Sequence, residues 1–542
     1  MKTSKRELCG LKNRKTENIK HILLFVLVIT GLFIRLIGFD WGGNSIYQPD
    51  EEKLVRSVIC MVQERSWLSY DYYYPNQFLS KFQALAYHLY LVIWRPGGFA
   101  ILQAYWIGRI VTAICGAVTI LFVYTIGERL RPNVGMISAA LFTVSPHMVD
   151  MSKQVTGDVG ALFGSTITML FALKYAKEPK NINILFMTLG CAIAMMEKWH
   201  GGGGTLLVAL FILLYTNSFR DFCIRGLIAV SSFIGWIFII APNVILNIRE
   251  SFIDGFIKIA VYNGEEGPGY LFLFKRYMEW GFLHIGGALY LIAVIGGLVI
   301  VFIRKDKRYC VLLLGVIKTL ELCFLNRGFP RWGLELYLSE IICAAVFLGW
   351  LIENDNKIYN YVFGILISFI LVESITAVAC IELAALRKDQ DIRAIQTQYC
   401  DNNGITIDNA ISSYYSAFQP GGYRSEGLSE RSKTDGSDVV GIEAGHLVKY
   451  TDKPYYIWTD MSEVKGDILS RMDDLIVWEK KYDYHDIFNN PIIDINHSWN
   501  DISLIMNNIK AYERMYNGAV FGTCHIKIYD ISDVPMSVSG AE

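Results

Sequence analysis

Long apolar runs separated by short charged loops organise the chain from residue 21 to residue 380, and a polar tail of mixed pattern follows. A helix needs about 20 mostly apolar residues to cross hydrocarbon, and roughly 17 is the lower bound. Runs of that kind lie at 21–38, 101–127, 134–150, 159–176, 182–197, 203–218, 224–241, 283–303, 309–325, 334–352 and 358–380, eleven in all. An odd number of crossings puts the two ends of the chain on opposite sides. The stretch "NQFLSKFQALAYHLYLVIWR", 76–95, is also apolar. There Lys81, His88 and Arg95 share one helical face, and Phe78, Phe82, Leu85 and Leu89 lie on another. That pattern suits a helix lying in the membrane interface better than one crossing it.

Charge sets the register. The first twenty residues are strongly basic, and no small-residue cleavage site follows the first apolar run, so that run reads as a retained signal anchor. With the N-terminus inside, the inner loops are "GERLRPN", "KYAKEPKN", "NSFRDFCIR", "RKDKRY" and "ENDNK", mostly rich in Lys and Arg as inner loops should be. A crossing at 76–95 would flip all of them. The outer side then holds a long first loop, 39–100, and the tail. In the tail "DIRAIQTQYCDNNG" reads as a helix closed by glycine, "PYYIW" and "HIKIYDI" as strands, and "QPGGYRSEGLSERSKTDGSD" as a loop. The expected architecture is an α-helical polytopic membrane protein. It has a cytosolic basic tail over 1–20, a transmembrane domain over 21–382 and a small soluble exoplasmic α/β domain over 383–542.

Composition agrees. Of 542 residues, 53% are hydrophobic, and the mean hydropathy is +0.33, more apolar than a soluble chain of this size. The net charge of −1 says little, because the charges are segregated along the chain. The eleven cysteines form no CxxC or Cys/His metal spacing. Cys115, Cys191, Cys323 and Cys343 lie in apolar runs as small buried residues. Cys400 and Cys524 fall in the tail and would pair only if it faces an oxidising space. No internal repeat is visible, and no nucleic-acid partner is expected.

The candidate chemistry sits at the ends of the apolar runs. Pro49, Asp50, Glu51 and Glu52 read as the first turn of a helix, where proline and carboxylates are both favoured. Leu54, Val55, Val58, Ile59 and Val62 give that helix an apolar stripe, so a purely structural role accounts for the acids. On the same outer side fall Arg327 and Arg331 in "NRGFPRW", Lys198 and His200 in "EKWHGG", and Lys275 and Arg276, where short loops should be poor in Lys and Arg. Snorkelling to headgroups explains any single one; several converging on the acidic loop point to a phosphate site. Arg35, inside the first span, needs a partner: Asp40 or an anionic ligand. Asp158 in "VTGDVG" follows Thr156 at a usual capping place, with ligand binding as the alternative. His147 in "SPHMVD" is the weaker candidate. The "GGGG" at 201–204 is no phosphate loop, since no strand precedes it and no GK[ST] follows; close helix packing or a bend explains it.

"RLIGFDWGG…YQPDE" resembles the start of the GT-C glycosyltransferases that use polyprenyl-phosphate sugars, among them the protein O-mannosyltransferases and the lipid A aminoarabinose transferases. Members carry an Asp-Glu pair in the first outer loop, often after His-Pro; here Gln48 stands where His is common. "GRIVTAICGAVTILFVYTIGERL", "AALFTVSPHMVDMSKQVTGDVGALFG", "EKWHGG" and "RGFPRWGLELYLSEIICAA" are similar to later segments of the family in the same order, covering roughly residues 20 to 355. The resemblance implies an integral-membrane enzyme moving a sugar from a polyprenyl-phosphate donor to a hydroxyl of a glycan, lipid or protein at the exoplasmic face, with inversion. It implies Asp50 as base with Glu51 orienting a neighbour or the acceptor. Arg331, Lys198, Arg327 and Arg35 are the candidates for the donor phosphate, and Asp158 and His200 for the substrate or acceptor. No cofactor is required; the Asp-Glu pair also offers oxygens to a divalent ion, so metal use stays open. With no trefoil insertion of the eukaryotic kind, a prokaryotic plasma membrane is expected. The rival is a polytopic transporter or flippase. Transporters place their ionisable residues near the midplane, often with repeat symmetry, whereas here they gather at helix ends.

Overall fold

Each of the eleven expected crossings meets a helix in the computed structural model. It describes residues 2–41, 49–68, 77–96, 100–251, 253, 257, 270–285, 287–324, 330–354, 356–386, 398–405 and six short strands of the tail. Within these elements the side chains of Asp50, Glu52 and His200 lie outside the described residues, as does the whole of Arg327. The helices are α1 (Lys2–Leu36), α2 (Pro49–Gln63), α3 (Leu79–Trp94), α4 (Ile101–Leu130), α5 (Val134–Thr143), α6 (Pro146–Met151), α7 (Gly157–Lys177) and α8 (Asn181–Glu197). There follow α9 (Gly204–Leu214), α10 (Phe219–Ile240), α11 (Pro242–Leu246), α12 (Tyr270–Ile285), α13 (Gly287–Arg304), α14 (Leu313–Phe324), α15 (Leu334–Glu353) and α16 (Lys357–Leu386).

Seven of these are long and apolar enough to cross a membrane on those grounds alone: α1 from Glu17, α4, α7, α10, α13, α15 and α16. Four expected crossings are shorter as helices, for local reasons. Pro146 lacks an N–H and divides the 134–150 run into α5 and α6. The α9 and α14 helices are each extended at their start by a 3₁₀ turn, Trp199–Gly203 and Lys307–Leu312. The helix expected from 283 begins at Gly287, whose φ of +63° interrupts the chain after α12. Phe33, Leu227, Phe302 and Ile365 stand exposed on these helices, as lipid-facing residues do.

Polar contacts sort the helix termini into two ends. At one, Lys20 pairs with Glu128, Arg131 with Glu353, and Arg308 donates to the Arg129 carbonyl. At that end, too, Arg225 donates to Tyr175 and the Pro179 carbonyl, and Lys307 to the Leu214 carbonyl. The basic loops expected on one side are therefore gathered together. At the other end Glu51 meets Arg109 and Val155, Asp158 meets Lys198 and Arg331, and Lys153 meets Glu382. Helix α3 belongs wholly to this second end. The Glu197 carboxylate at the terminus of α8 accepts the Phe78 and Leu79 N–H groups, Gln83 donates to Thr112, and the Tyr87 hydroxyl donates to the Ala100 carbonyl at the start of α4. On α3, Phe82, Leu89, Ile93 and Trp94 are exposed.

In the tail, residues 398–402 are helical and end at Gly404 with φ +66°, the glycine closure expected there. Four strands form one mixed sheet in the order β1 (Ala410–Ser412), β4 (Tyr455–Thr459), β6 (His525–Asp530), β5 (Ile493–Asn496). The β1–β4 pair is parallel and the other two are antiparallel. β2 (Phe418–Gln419) and β3 (Tyr423–Arg424) pair separately. Cys400 is buried; Cys524 lies outside the described residues.

Helices α7 and α8 approach so closely that neither tolerates a side chain at the crossing. A Cβ on Gly164 would lie 2.5 Å from the Ala194 nitrogen, and one on Gly190 2.5 Å from the Gly164 carbonyl. This is small-residue packing, by which membrane helices associate without a hydrophobic drive. Gly164→Leu should lower stability by about 1–3 kcal/mol or more, read as an earlier melting transition in detergent. Gly226→Leu, with nothing within 4 Å, should leave the transition in place.

Candidate active site

Three acids open α2, and the structure gives the second a fixed position. The Glu51 carboxylate is fully buried and takes two bonds from Arg109 of α4, Nε to Oε1 at 3.0 Å and Nη2 to Oε2 at 2.6 Å. Oε1 also accepts the Val155 backbone N–H at 2.7 Å. The guanidinium donates onward to the Phe39 and Trp41 carbonyls, and its Cζ lies 4.2 Å from the Trp41 ring centroid. The Trp41 indole N–H donates to the Lys153 carbonyl. Bidentate geometry is what Arg offers and Lys does not. The result is a clamp tying α2, the end of α1, α4 and the 152–156 segment together. Glu51 thus answers the charge of Arg109. Asp50 is the residue before it in the first turn of α2.

The second cluster joins three motifs far apart in the chain. Asp158, 3% exposed in the first turn of α7, lies 3.2 Å from Lys198 Nζ through Oδ1 and 3.9 Å from Arg331 Nε through Oδ2. Lys198 follows α8 and sits 5.9 Å from the Trp332 ring centroid. Arg331 is buried in the 3₁₀ turn Pro330–Gly333 that leads into α15. Thr156 holds the N-cap position of α7, but its side chain makes no capping bond. Asp158 therefore serves the two cations, and capping by Thr156 does not account for it. Val155, fastened to Glu51, precedes Asp158 by three residues, so both clusters stand at one end of the bundle.

Two residues without an expected role brace this end. Glu197 caps α3 through the Phe78 and Leu79 N–H groups at 2.6 and 2.9 Å, and Lys81 one turn further on donates to the Gln77 carbonyl. Burial pulls the Lys81 ammonium down to about 8, against the opposing pull of Glu197. Lys153 donates to the Ile34 and Ile37 carbonyls at the end of α1 and to Glu382 at 2.8 Å. A signal for Glu197 was present in "EKWHGG", an acid at the end of an apolar run, but its partners are backbone groups that no motif announces.

Other expected residues stand elsewhere. Arg35 is buried at the end of α1 and donates to Ser152, the Gly31 carbonyl and the Thr143 carbonyl, with Phe142 beneath it. Its hydrogen bonds go to these groups, neither to Asp40 nor to the Asp158 cluster. His147 stacks on Tyr337 at 4.5 Å between ring centroids. His200 is the second residue of the 3₁₀ turn Trp199–Gly203 that follows Lys198, and in the same turn a Cβ on Gly201 would lie 2.2 Å from the Ala194 carbonyl, the close approach expected of the glycine run. Among the described residues no group of three His, Cys, Asp or Glu could hold a metal ion.

Residues 96–246, which include Arg109, Val155, Asp158, Glu197 and Lys198, match the model of the family described as dolichyl-phosphate-mannose-protein mannosyltransferase. Among solved structures, the archaeal oligosaccharyltransferase AglB from Archaeoglobus fulgidus, in complex with an inhibitory peptide and a dolichol-phosphate, is similar with a TM-score of 0.53 at 11% identity. That likeness covers 95% of this chain and 88% of the other. ArnT from Cupriavidus metallidurans in the apo state is similar with a TM-score of 0.51 at 12% identity, over 80% of this chain and 92% of that one. Over residues 96–246 the chain is similar to the mannosyltransferase family, and its fold is similar to that of AglB and ArnT, both GT-C glycosyltransferases. No curated protein matches its sequence.

The helical bundle thus holds buried ion pairs at this end, and breaking one should be costly. Arg109→Ala leaves the Glu51 carboxylate buried alone and should destabilise the chain by about 3–5 kcal/mol, whereas the paired change Glu51→Leu with Arg109→Met should cost less; melting in detergent reads both. Glu382, beyond the apolar part of α16, is raised to about 6 by burial, with Lys153 opposing. A raised carboxyl favours the folded state below its ordinary value near 4.5 and loses that contribution as pH rises through about 6. Glu382→Gln should flatten the stability profile across that window.

Proposed function

We propose that this GT-C glycosyltransferase moves a sugar from a polyprenyl phosphate to an acceptor hydroxyl on the side of the membrane that carries the tail. The observation that carries the reading is the Asp158 cluster. Two cations flank one carboxylate, an excess of one positive charge at a helix end. Lys198 and Arg331 take the phosphate as charge develops on its departing oxygen. Asp158 holds the two apart and oriented before the donor arrives. The dolichol-phosphate in the AglB complex supports a lipid-phosphate ligand for the fold.

Asp50 takes the proton from the acceptor hydroxyl as its oxygen attacks the anomeric carbon. Glu51 does not touch the reacting atoms in this account; clamped between Arg109 and Val155, it positions the first turn of α2 relative to Asp158. One displacement inverts the anomeric centre, and the phosphate leaves without a general acid. The tail sits on the acceptor side, as an exoplasmic domain at a prokaryotic membrane. Asp40 and Arg35 take no part.

Assayed in membranes with polyprenyl-phosphate sugars, Asp50→Asn should lower transfer about 10²–10⁴-fold, the worth of a positioned base. Arg331→Ala should lower it about 10²–10³-fold, the worth of one charge-stabilising donor. Full activity in either variant removes that residue from the chemistry. Chelation with EDTA should leave the rate unchanged; loss restored by a divalent ion would assign Asp50 to a metal instead. Solute movement without bond formation would favour a transporter.

A further inference from the structure

Glu340 stands six residues into α15, about 9 Å along the helix from its start. It is 4% exposed, and neither carboxylate oxygen has a hydrogen-bond partner among the described residues. Gly281 of α12 leaves the room it occupies: a Cβ there would lie 2.4 and 2.6 Å from the two oxygens. Tyr290, in the first turn of α13, and Tyr337, one turn before Glu340, are both fully buried. Both lie within electrostatic reach of the carboxylate, and both hydroxyls also lack partners among the described residues. Tyr337 extends this group toward the phosphate cations, for a Cβ on Gly333, in the turn that carries Arg331, would lie 2.7 Å from its hydroxyl oxygen.

Burying one carboxyl and two phenols without partners is costly, and an ionisable residue at membrane depth marks a functional position. A protonated Glu340 acting as filler would explain the carboxyl but leave both phenols unaccounted for. We infer that Glu340, Tyr290 and Tyr337 form the receptor for the donor sugar, taking a neutral sugar whose adjacent hydroxyls reach both carboxylate oxygens. This rests on the polyprenyl-phosphate reading given above. A hydroxyl both donates and accepts, so a polyol satisfies an acceptor-only carboxylate and donor phenols together; an ammonium only donates and would compete with the phenols for the same oxygens. Side chains on a helix lean toward its N-terminus, which aims Glu340 back toward Tyr337 and the Arg331 turn. A sugar attached to a phosphate at Arg331 would meet it there.

The test is equilibrium binding to the full chain in nanodiscs, with bare polyprenyl phosphate as one probe and polyprenyl phosphates bearing mannose, glucose or galactose as the others. The native chain should bind at least one sugar-loaded carrier more tightly than the bare one. Glu340→Gln should lose about 10-fold or more of that margin, the worth of hydrogen bonds to a charged group. Tyr290→Phe should lose about 3-fold or more, and both variants should bind the bare carrier as the native chain does. Because Tyr290→Phe removes only a hydroxyl, it carries the test if Glu340→Gln fails to fold. Unchanged preference in the variants, or no preference for any loaded carrier in the native chain, overturns the inference while leaving the phosphate reading intact. Failure of the native chain to bind even the bare carrier would bring down the donor reading, and this inference with it.

Discussion

A charge placed inside a helical bundle has to meet its opposite, and the pairing of Asp158 with Lys198 and Arg331 is where that constraint shapes the molecule most. It draws together the start of α7, the end of α8 and the turn before α15, three places widely separated in the chain. Three residues upstream, the Val155 N–H donates to Glu51, which in turn fixes Arg109 and the beginning of α2. One end of the bundle is thereby a connected set of ion pairs and backbone bonds. The opposite end holds the basic loops, joined by contacts such as Arg308 to the Arg129 carbonyl. The proposed chemistry rests on this separation, because a lipid phosphate at a membrane surface would meet a cluster that is already built and already oriented.

The fold was legible in the sequence to the extent that it depends on apolar length. Periodicity located α4, α7 and α15 within a few residues. What periodicity could not see was local interruption. The division of α5 from α6 at Pro146 was written in the proline, yet the apolar run continued across it. The late start of α13 depends on the positive φ of Gly287, which no hydrophobic pattern reports.

The site was legible as candidates but not as partnerships. Asp158, Lys198 and Arg331 each stood out separately, by helix position, by loop charge and by family resemblance, and only the packing of α7, α8 and α15 makes them one cluster. Glu51 stood out as a candidate for chemistry, and the structure pairs it with an Arg inside the apolar run of α4, a partner the sequence pattern did not announce. Arg35 stood out as a phosphate candidate because burial there is expensive; Ser152 and two helix carbonyls take its Nε and Nη1, while Nη2 has no hydrogen-bond partner among the described residues. Glu197 and Lys153 were missed because backbone N–H and carbonyl groups, invisible in a sequence, are their main partners.

The account stands or falls on which residues share a face of the membrane. The most direct measurement is labelling of single cysteines, in a background lacking the native ones, by a membrane-impermeant maleimide added to intact cells. Cysteines replacing exposed Lys53 on α2 and exposed Asn403 in the tail should react from outside, while one replacing Lys180 between α7 and α8 should react only after permeabilisation. Labelling of positions 53 and 180 from the same side, or of 53 and 403 from opposite sides, would contradict it.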